Sequence, residues 1–374
     1  MRWILVAVLV LGLAFGGAVA TGLVAFGSAP PAAPSPSVVT GPSAPASPTQ
    51  PAPATARSMD DNGQLRPANQ PEERPVMQLQ VVLDRQGFSP GVIDGREGMS
   101  LTTALRGFQR ARGLTANGHV DEPTGAALAQ WERIPSTRTV TIDAAFAGGP
   151  FNGPVPREPE DQARLSALGY ADLTEKLAER FHTTPETLAA LNPGFAPRAG
   201  AQIVVPNVGG GPVEAGESDD ADWRATLASL GVAGEQPRAA RVVVDKSDKV
   251  LMAYDGDNRL IAQFPATMGS THDPLPLGEW QIRATAHNPP FHYNPALFWD
   301  ADPGDRRLTL PPGPNSPVGV VWIDLSREHY GIHGTPEPRT IGRTESHGCI
   351  RLTNWDAARL AQMVRPGVAA IFQQ

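Results

Sequence analysis

The stretch Tyr330-Gly331-Ile332-His333-Gly334-Thr335, followed by Ser346-His347-Gly348-Cys349-Ile350-Arg351-Leu352-Thr353-Asn354, holds the densest set of reactive side chains in the 374-residue chain. Three of the eight histidines and the single cysteine lie between His329 and Cys349. One cysteine excludes an internal disulfide. A lone thiol in a cytosolic protein is usually a small buried hydrophobe. In an exported chain it is a liability, and its presence points to chemistry. Two readings of the cluster compete. A thiol near an imidazole suits nucleophilic catalysis, whereas His333, His347 and Cys349 together would suit a zinc ion. His329 stands four positions before His333, but Gly331 between them and the β-rich context favour a strand over a helical metal pair.

The string GIHGT…SHGCIRLTN resembles the signature of the L,D-transpeptidase catalytic domain, also called the YkuD domain. The likeness runs from about residue 238 to 372 and includes a Pro-Leu-Gly segment before EWQI, then NPPFHYNP, LPPGPNSPVGV and RPGV. Carried over position by position, it implies that Cys349 is the nucleophile and His333 the general base. Ser346, His347, Gly348, Arg351 and Asn354 fill the rest of the signature, with Gly334 in support. The chemistry fits. A thiol of pKa about 8.5 is only a few per cent ionised at neutral pH. An imidazole beside it takes the proton and later protonates the departing amine. Gly348 permits close backbone approach, so that the amides at Gly348 and Cys349 form an oxyanion hole. Arg351 suits a carboxylate, unless it bridges to Asp356 or a backbone carbonyl.

The resemblance further implies a two-step acyl transfer on peptidoglycan, with no cofactor and no metal. Its partners would be stem peptides and glycan strands, with carbapenems as acylating inhibitors. The donor is a tetrapeptide stem and the acceptor amine gives a 3→3 cross-link. A lipoprotein lysine as acceptor would make the same machinery a lipoprotein anchorer; water would make it a carboxypeptidase or endopeptidase. A sortase would carry Thr-Leu-x-Thr-Cys, and a papain-like peptidase would place Cys before His; neither fits. A non-enzymatic wall-binding protein has no need of the Cys349–His333 pair.

Outward from the motif, ARVVVD and KVLMAYDGDNRLIAQFPATMG are apolar, β-branched runs hinged on Asp255-Gly256-Asp257-Asn258, a hairpin signal. EWQIRAT and VGVVWIDL add strands, and a helix is expected from Asn354 or Asp356 to Val364. The expected fold is multidomain α+β. A mainly antiparallel, sandwich- or barrel-like catalytic domain (238–374) follows small helical modules and an N-terminal anchor or signal segment. His287, His292 and Tyr293 lie in a Pro-rich loop expected near the substrate groove.

Upstream, GVIDGREGMSLTTALRGFQRARGLTANGHVDEPTGAAL resembles the type 1 peptidoglycan-binding domain, a three-helix unit assigned to 75–131. Residues 159–208, with TPETLAALNP and a closing IVVP, resemble a degenerate LysM-like module, LGYADL standing where its first strand is expected. Both modules are expected to retain the enzyme at the wall and to be dispensable for chemistry on soluble fragments. Residues 209–237 read as an acidic, Gly-rich linker with a short helix near Trp223.

The chain begins with an apolar run over 3–26, broken only by Thr21. Its length suits a membrane anchor, and Ala18-Val19-Ala20 offers a signal-peptide cleavage site as the alternative, over 1–27. The Pro/Ala/Ser-rich stretch 28–74 is too poor in large apolar residues to fold and reads as a tether. The expected location is the periplasm or cell envelope, bound to the membrane by residues 3–26 or released after cleavage. A net charge of −7 argues against a nucleic-acid partner.

Overall fold

A computed structural model describes residues 74–209, 220–299, 301–302 and 304–374. The anchor or signal segment and nearly all of the tether lie outside the described residues. Among those described, no helix is long and apolar enough to cross a membrane.

Three helices open the described chain: α1 (Pro75–Arg85), α2 (Met99–Ala111) and α3 (Glu122–Leu128). Pro sits in the first turn of α1, where a missing N–H costs nothing, and Asp121 caps α3 by accepting from the Thr124 amide. Leu83, Leu101, Leu105 and Phe108 meet in their core, where Phe88 and Trp131 pack edge-on against Phe108.

Next come β1 (Thr137–Thr141), the short helices α4 (Ala144–Ala147) and α5 (Pro159–Gln162), then α6 (Leu173–Arg180), α7 (Pro185–Leu191) and β2 (Gln202–Pro206). Strands β1 and β2 pair antiparallel, Thr139 opposite Val204. The strand partnering IVVP is thus Thr137–Thr141, upstream of residue 159, and LGYADL forms no strand. Leu177, Phe181, Leu188, Ile203 and Val205 share one core with Met77 and Val81 of α1.

Residues 210–219 of the expected linker are outside the described residues. Ala221–Leu230 forms α8, the helix expected near Trp223, and buries Trp223, Leu227 and Leu230 in the core of the C-terminal part. That part contains β3 (Arg241–Asp245), β4 (Val250–Tyr254), β5 (Leu260–Pro265), β6 (Thr267–Met268), β7 (Gly278–His287), β8 (Phe291–Tyr293), β9 (Leu308–Leu310), β10 (Val321–Leu325), β11 (Gly331–His333), β12 (Ile350–Arg351), α9 (Asn354–Met363) and β13 (Ala369–Gln373).

Nine of these strands form a sheet in the order β5-β4-β3-β13-β7-β10-β11-β12-β6. Strands β5 and β6 stand at opposite ends of that order, yet only Ala266 separates them in the chain. The sheet must therefore curl on itself, the barrel-like form expected. It is mainly antiparallel, with parallel pairing only at β13–β3 and β11–β12. The β4–β5 hairpin turns at Asn258 in a left-handed conformation, with Asp255 Oδ1 accepting from the amides of Asp257 and Arg259.

Helix α9 fills the concave side. Thr353 caps it through the Asp356 amide, and Trp355, Ala357, Ala358 and Leu360 are fully buried. Helical modules cover its other faces. Arg359 on α9 donates from both Nη1 and Nη2 to the Asp84 carboxylate of α1, each at 2.9 Å. His182, between α6 and α7, lies 3.1 Å from Asp84 and stacks on Trp355 at 5.1 Å. Ser89 donates to Asp356 at 2.8 Å. The chain around Phe88 also pairs with Gln263, covering the outer edge of β5. The modules expected to be dispensable for chemistry thus share buried contacts with the catalytic part. Buried charges shared across the junction cannot be uncovered without leaving charge unpaired.

Candidate active site

Strand β11 carries His333 between β10 and β12, with Trp322 opposite in register and stacked on its ring at 5.5 Å. The imidazole is 6 % exposed. Its Nδ1 lies 2.7 Å from the Gly334 carbonyl oxygen. A carbonyl only accepts, so Nδ1 carries the proton and Nε2 of the neutral ring is left as a base. Burial pushes the imidazole pKa down to about 4, and the Arg351 charge pushes the same way against the Gly334 hydrogen bond. His333 is therefore neutral at pH 7.

Cys349 precedes β12 and is half-buried. Burial pushes its thiol up, while a backbone hydrogen bond from Gly331 and the charge of Arg351 oppose the rise. The thiol donates to the His329 carbonyl at 3.8 Å. At rest both groups are neutral, a thiol and an imidazole that line the same cavity.

The loop before Cys349 is held by backbone contacts. Ser346 donates to the Cys349 carbonyl at 2.6 Å and accepts from the Gly269 amide at 2.7 Å. Gly348 has φ +96°, and a Cβ there would lie 2.6 Å from Cε1 of Tyr330. Glycine alone suits both conditions at this position. Gly348→Ala is accordingly expected to cut turnover of soluble tetrapeptide fragments at least about tenfold, measured per folded molecule, because the loop that carries Cys349 must shift.

His333, Ser346, His347, Cys349 and Arg351 line one cavity of about 1040 Å³. Gly334 and Asn354 stand behind it. The Gly334 oxygen fixes the His333 ring, and Asn354 is fully buried at the start of α9. His347 is exposed and meets Phe298 edge-on at 5.0 Å. Arg351 donates to the Glu345 carbonyl, so of the two bland alternatives the backbone one is observed; Asp356 pairs with Arg359 instead. The Arg351 Nε finds no protein partner.

The residues expected in a loop lie on strands, His287 at the end of β7 and His292 and Tyr293 on β8; His292 lines the cavity, whereas His287 stacks on Trp223 at 3.9 Å. Tyr293 donates to Asp305. Sequence reasoning did not assign Phe291, Phe298, Trp322 and Tyr330, which also line the cavity. An aromatic-rich segment after a Pro-Pro pair was the available signal. Among the described residues no group of three or more His, Cys, Asp or Glu side chains could hold a metal ion, so His333, His347 and Cys349 do not converge as a zinc site.

Comparison with known proteins bears on both halves. Residues 239–371 match the family model of the L,D-transpeptidase catalytic domain, and residues 72–128 match one described as "Putative peptidoglycan binding domain". Over 193 residues the chain is 30 % identical to "Putative L,D-transpeptidase YkuD" of Bacillus licheniformis, covering 52 % of this chain and 88 % of that protein. The protein of the same name from Bacillus subtilis is 32 % identical over 111 residues, 30 % of this chain and 52 % of its own length. Among solved structures, an L,D-transpeptidase from Mycobacterium smegmatis superposes with a TM-score of 0.29 at 25 % identity, covering 36 % of this chain and 58 % of that one.

Proposed function

The chain belongs to the L,D-transpeptidase family, and on that footing we propose that Cys349 and His333 carry out its acyl transfer on peptidoglycan. The observation that carries this reading is the fixed tautomer of His333: Nδ1–H is committed to Gly334, leaving Nε2 as the base in the cavity shared with Cys349.

In the first step the Cys349 sulfur attacks the carbonyl between the L-centre of the diamino acid and D-Ala. Its proton passes to His333 Nε2, and the oxyanion is held by the amides of Gly348 and Cys349. Collapse breaks the amide bond; His333 returns the proton to the departing D-Ala amine and a thioester remains. An acceptor amine of a neighbouring stem then loses its proton to His333, attacks the thioester carbonyl and regenerates the thiol, leaving a 3→3 cross-link. Arg351, which lines the cavity, supplies the cation for a stem carboxylate. Carbapenems would acylate the same thiol.

The matched peptidoglycan-binding region supports a role at the wall. With the apolar stretch 3–26 and the tether, it supports an exported enzyme held at the cell envelope.

The pH dependence tests the assignment. The base form of His333 is the working form, and its pKa is depressed to about 4. Turnover should therefore persist in acid: kcat/KM at pH 5.5 is expected within about twofold of its value at pH 7. A base with the ordinary imidazole pKa of about 6.5 would lose roughly eightfold over that interval. A loss of that size would remove buried His333 from the role.

A further inference from the structure

Glu179 sits on α6, outside the residues matched by the catalytic family model, and is 5 % exposed. Burial pushes its carboxyl up to about 8, with Asn354 and Tyr170 hydrogen bonds opposing and the Glu175 charge adding to the rise. No cation figures among these groups. A buried acid without a cation is a costly way to fill space, and an apolar residue would serve packing better.

Its contacts suggest another use. Asn354 Nδ2 donates to Glu179 Oε1 at 3.1 Å and Oε2 at 3.2 Å, and to the Pro314 carbonyl at 3.0 Å. That fixes the amide flip, placing Asn354 Oδ1 on the opposite side, where it accepts from the Val320 amide at 3.3 Å. The same oxygen lies so close to Gly334 that a methyl group there would collide with it. Gly334 in turn supplies the oxygen that holds His333 Nδ1. The line runs from a helical module to the catalytic imidazole in three contacts.

We propose that Glu179 is a positioning residue of the acyl-transfer site, acting through Asn354 and Gly334 to hold the His333 ring. The proposal rests on His333 being the base. It makes the helical module that carries α6 a part of the active site's frame. Removing the acceptor frees the Asn354 amide to turn, Gly334 to shift and the imidazole to lose its orientation, and small misplacements of catalytic groups cost on the order of 10 to 100-fold in rate.

The test uses the full chain, with kcat expressed per titratable Cys349 thiol, so that loss of folded protein is divided out. Glu179→Leu keeps the volume and removes the acceptor; kcat should fall at least about tenfold while KM stays within about twofold. Glu179→Gln keeps one oxygen for Asn354 and turns its amide to the Tyr170 hydroxyl, which accepts as well as donates; kcat should return to within about threefold of the parent. E179L combined with Asn354→Ala should be no slower than N354A alone, because one line carries both effects. An unchanged kcat per thiol in E179L would overturn the proposal. So would E179Q falling as far as E179L, or multiplicative losses in the double variant. Cys349→Ala runs alongside: turnover surviving there would remove the nucleophile assignment itself, whereas its loss with E179L unaffected would remove only the positioning role.

Discussion

Replacing Cys349 with Ala is expected to lower turnover of tetrapeptide donors by about 10⁴-fold or more, to the background of bound but uncatalysed substrate. Removal of a covalent nucleophile commonly costs losses of that order, because the remaining groups act only as a unit with it. No second thiol exists in the chain to substitute. The structure also explains why the loss should be clean. Cys349 is half-buried at the start of β12, and the loop is fixed by Ser346 and Gly269 rather than by the sulfur. Folding and wall retention should survive the substitution. The comparison is steady-state release of D-Ala by parent and variant, with the thermal midpoint of both recorded.

The second large effect lies at the module junction. Asp84→Ala strips Arg359 of its bidentate partner inside a fully buried site. Removing one partner of such a pair costs about 3–5 kcal/mol, since the remaining guanidinium is left buried without compensation. For a unit of this size the thermal midpoint should drop by roughly 10 °C. Burial alone would raise the Asp84 carboxyl, but Arg359 and His182 overcome it and hold the group well below the usual carboxylate range. Its contribution is therefore fully present above about pH 4 and fades as the pH falls through the folded-state value. The deficit of Asp84→Ala against the parent should accordingly be full at pH 7 and shrink in acid. Asp84→Leu combined with Arg359→Met should recover part of the loss at pH 7, because the guanidinium is no longer left unpaired, while His182 and Asp356 each lose a partner. Thermal unfolding followed across pH measures all three variants; a full-sized deficit at pH 3 would contradict the ion-pair account.

These two residues mark the difference between what could be read from the chain and what could not. Cys349, His333, Gly348 and Arg351 stand in one short string, whose likeness to the L,D-transpeptidase signature is legible in the sequence. The β4–β5 hairpin was equally plain, because Asp255-Gly256-Asp257-Asn258 is a local turn signal. Asp84, Glu179, His182 and Arg359 carry no such mark. They are charged or polar residues on helices or, for His182, in the turn between two helices, where solvent exposure is the ordinary expectation. Their burial arises only when α1, α6 and α9 meet, and Asp84 and Arg359 are 275 positions apart. Strand β1 escaped notice for a related reason: the 142–172 segment separates TRTVT from the helices it closes over. The barrel-like form was expected, but not how it closes: β5 and β6, one residue apart in the chain, stand at opposite ends of the strand order.

Module and catalytic part are thus joined by buried charge at one place and by Glu179 and Asn354 at another. The helical modules and the catalytic part keep separate apolar cores and meet through these buried polar contacts.

The most direct measurement is the mass of the intact protein after brief incubation with a disaccharide-tetrapeptide. The parent should gain the mass of the donor less D-Ala, on the peptide containing Cys349, and cross-linked dimers should follow when acceptor is present. His333→Ala should form the adduct far more slowly, and Cys349→Ala should form none. An adduct on any other residue, or the parent's dimers appearing unchanged with Cys349→Ala, would contradict the mechanism at its first step.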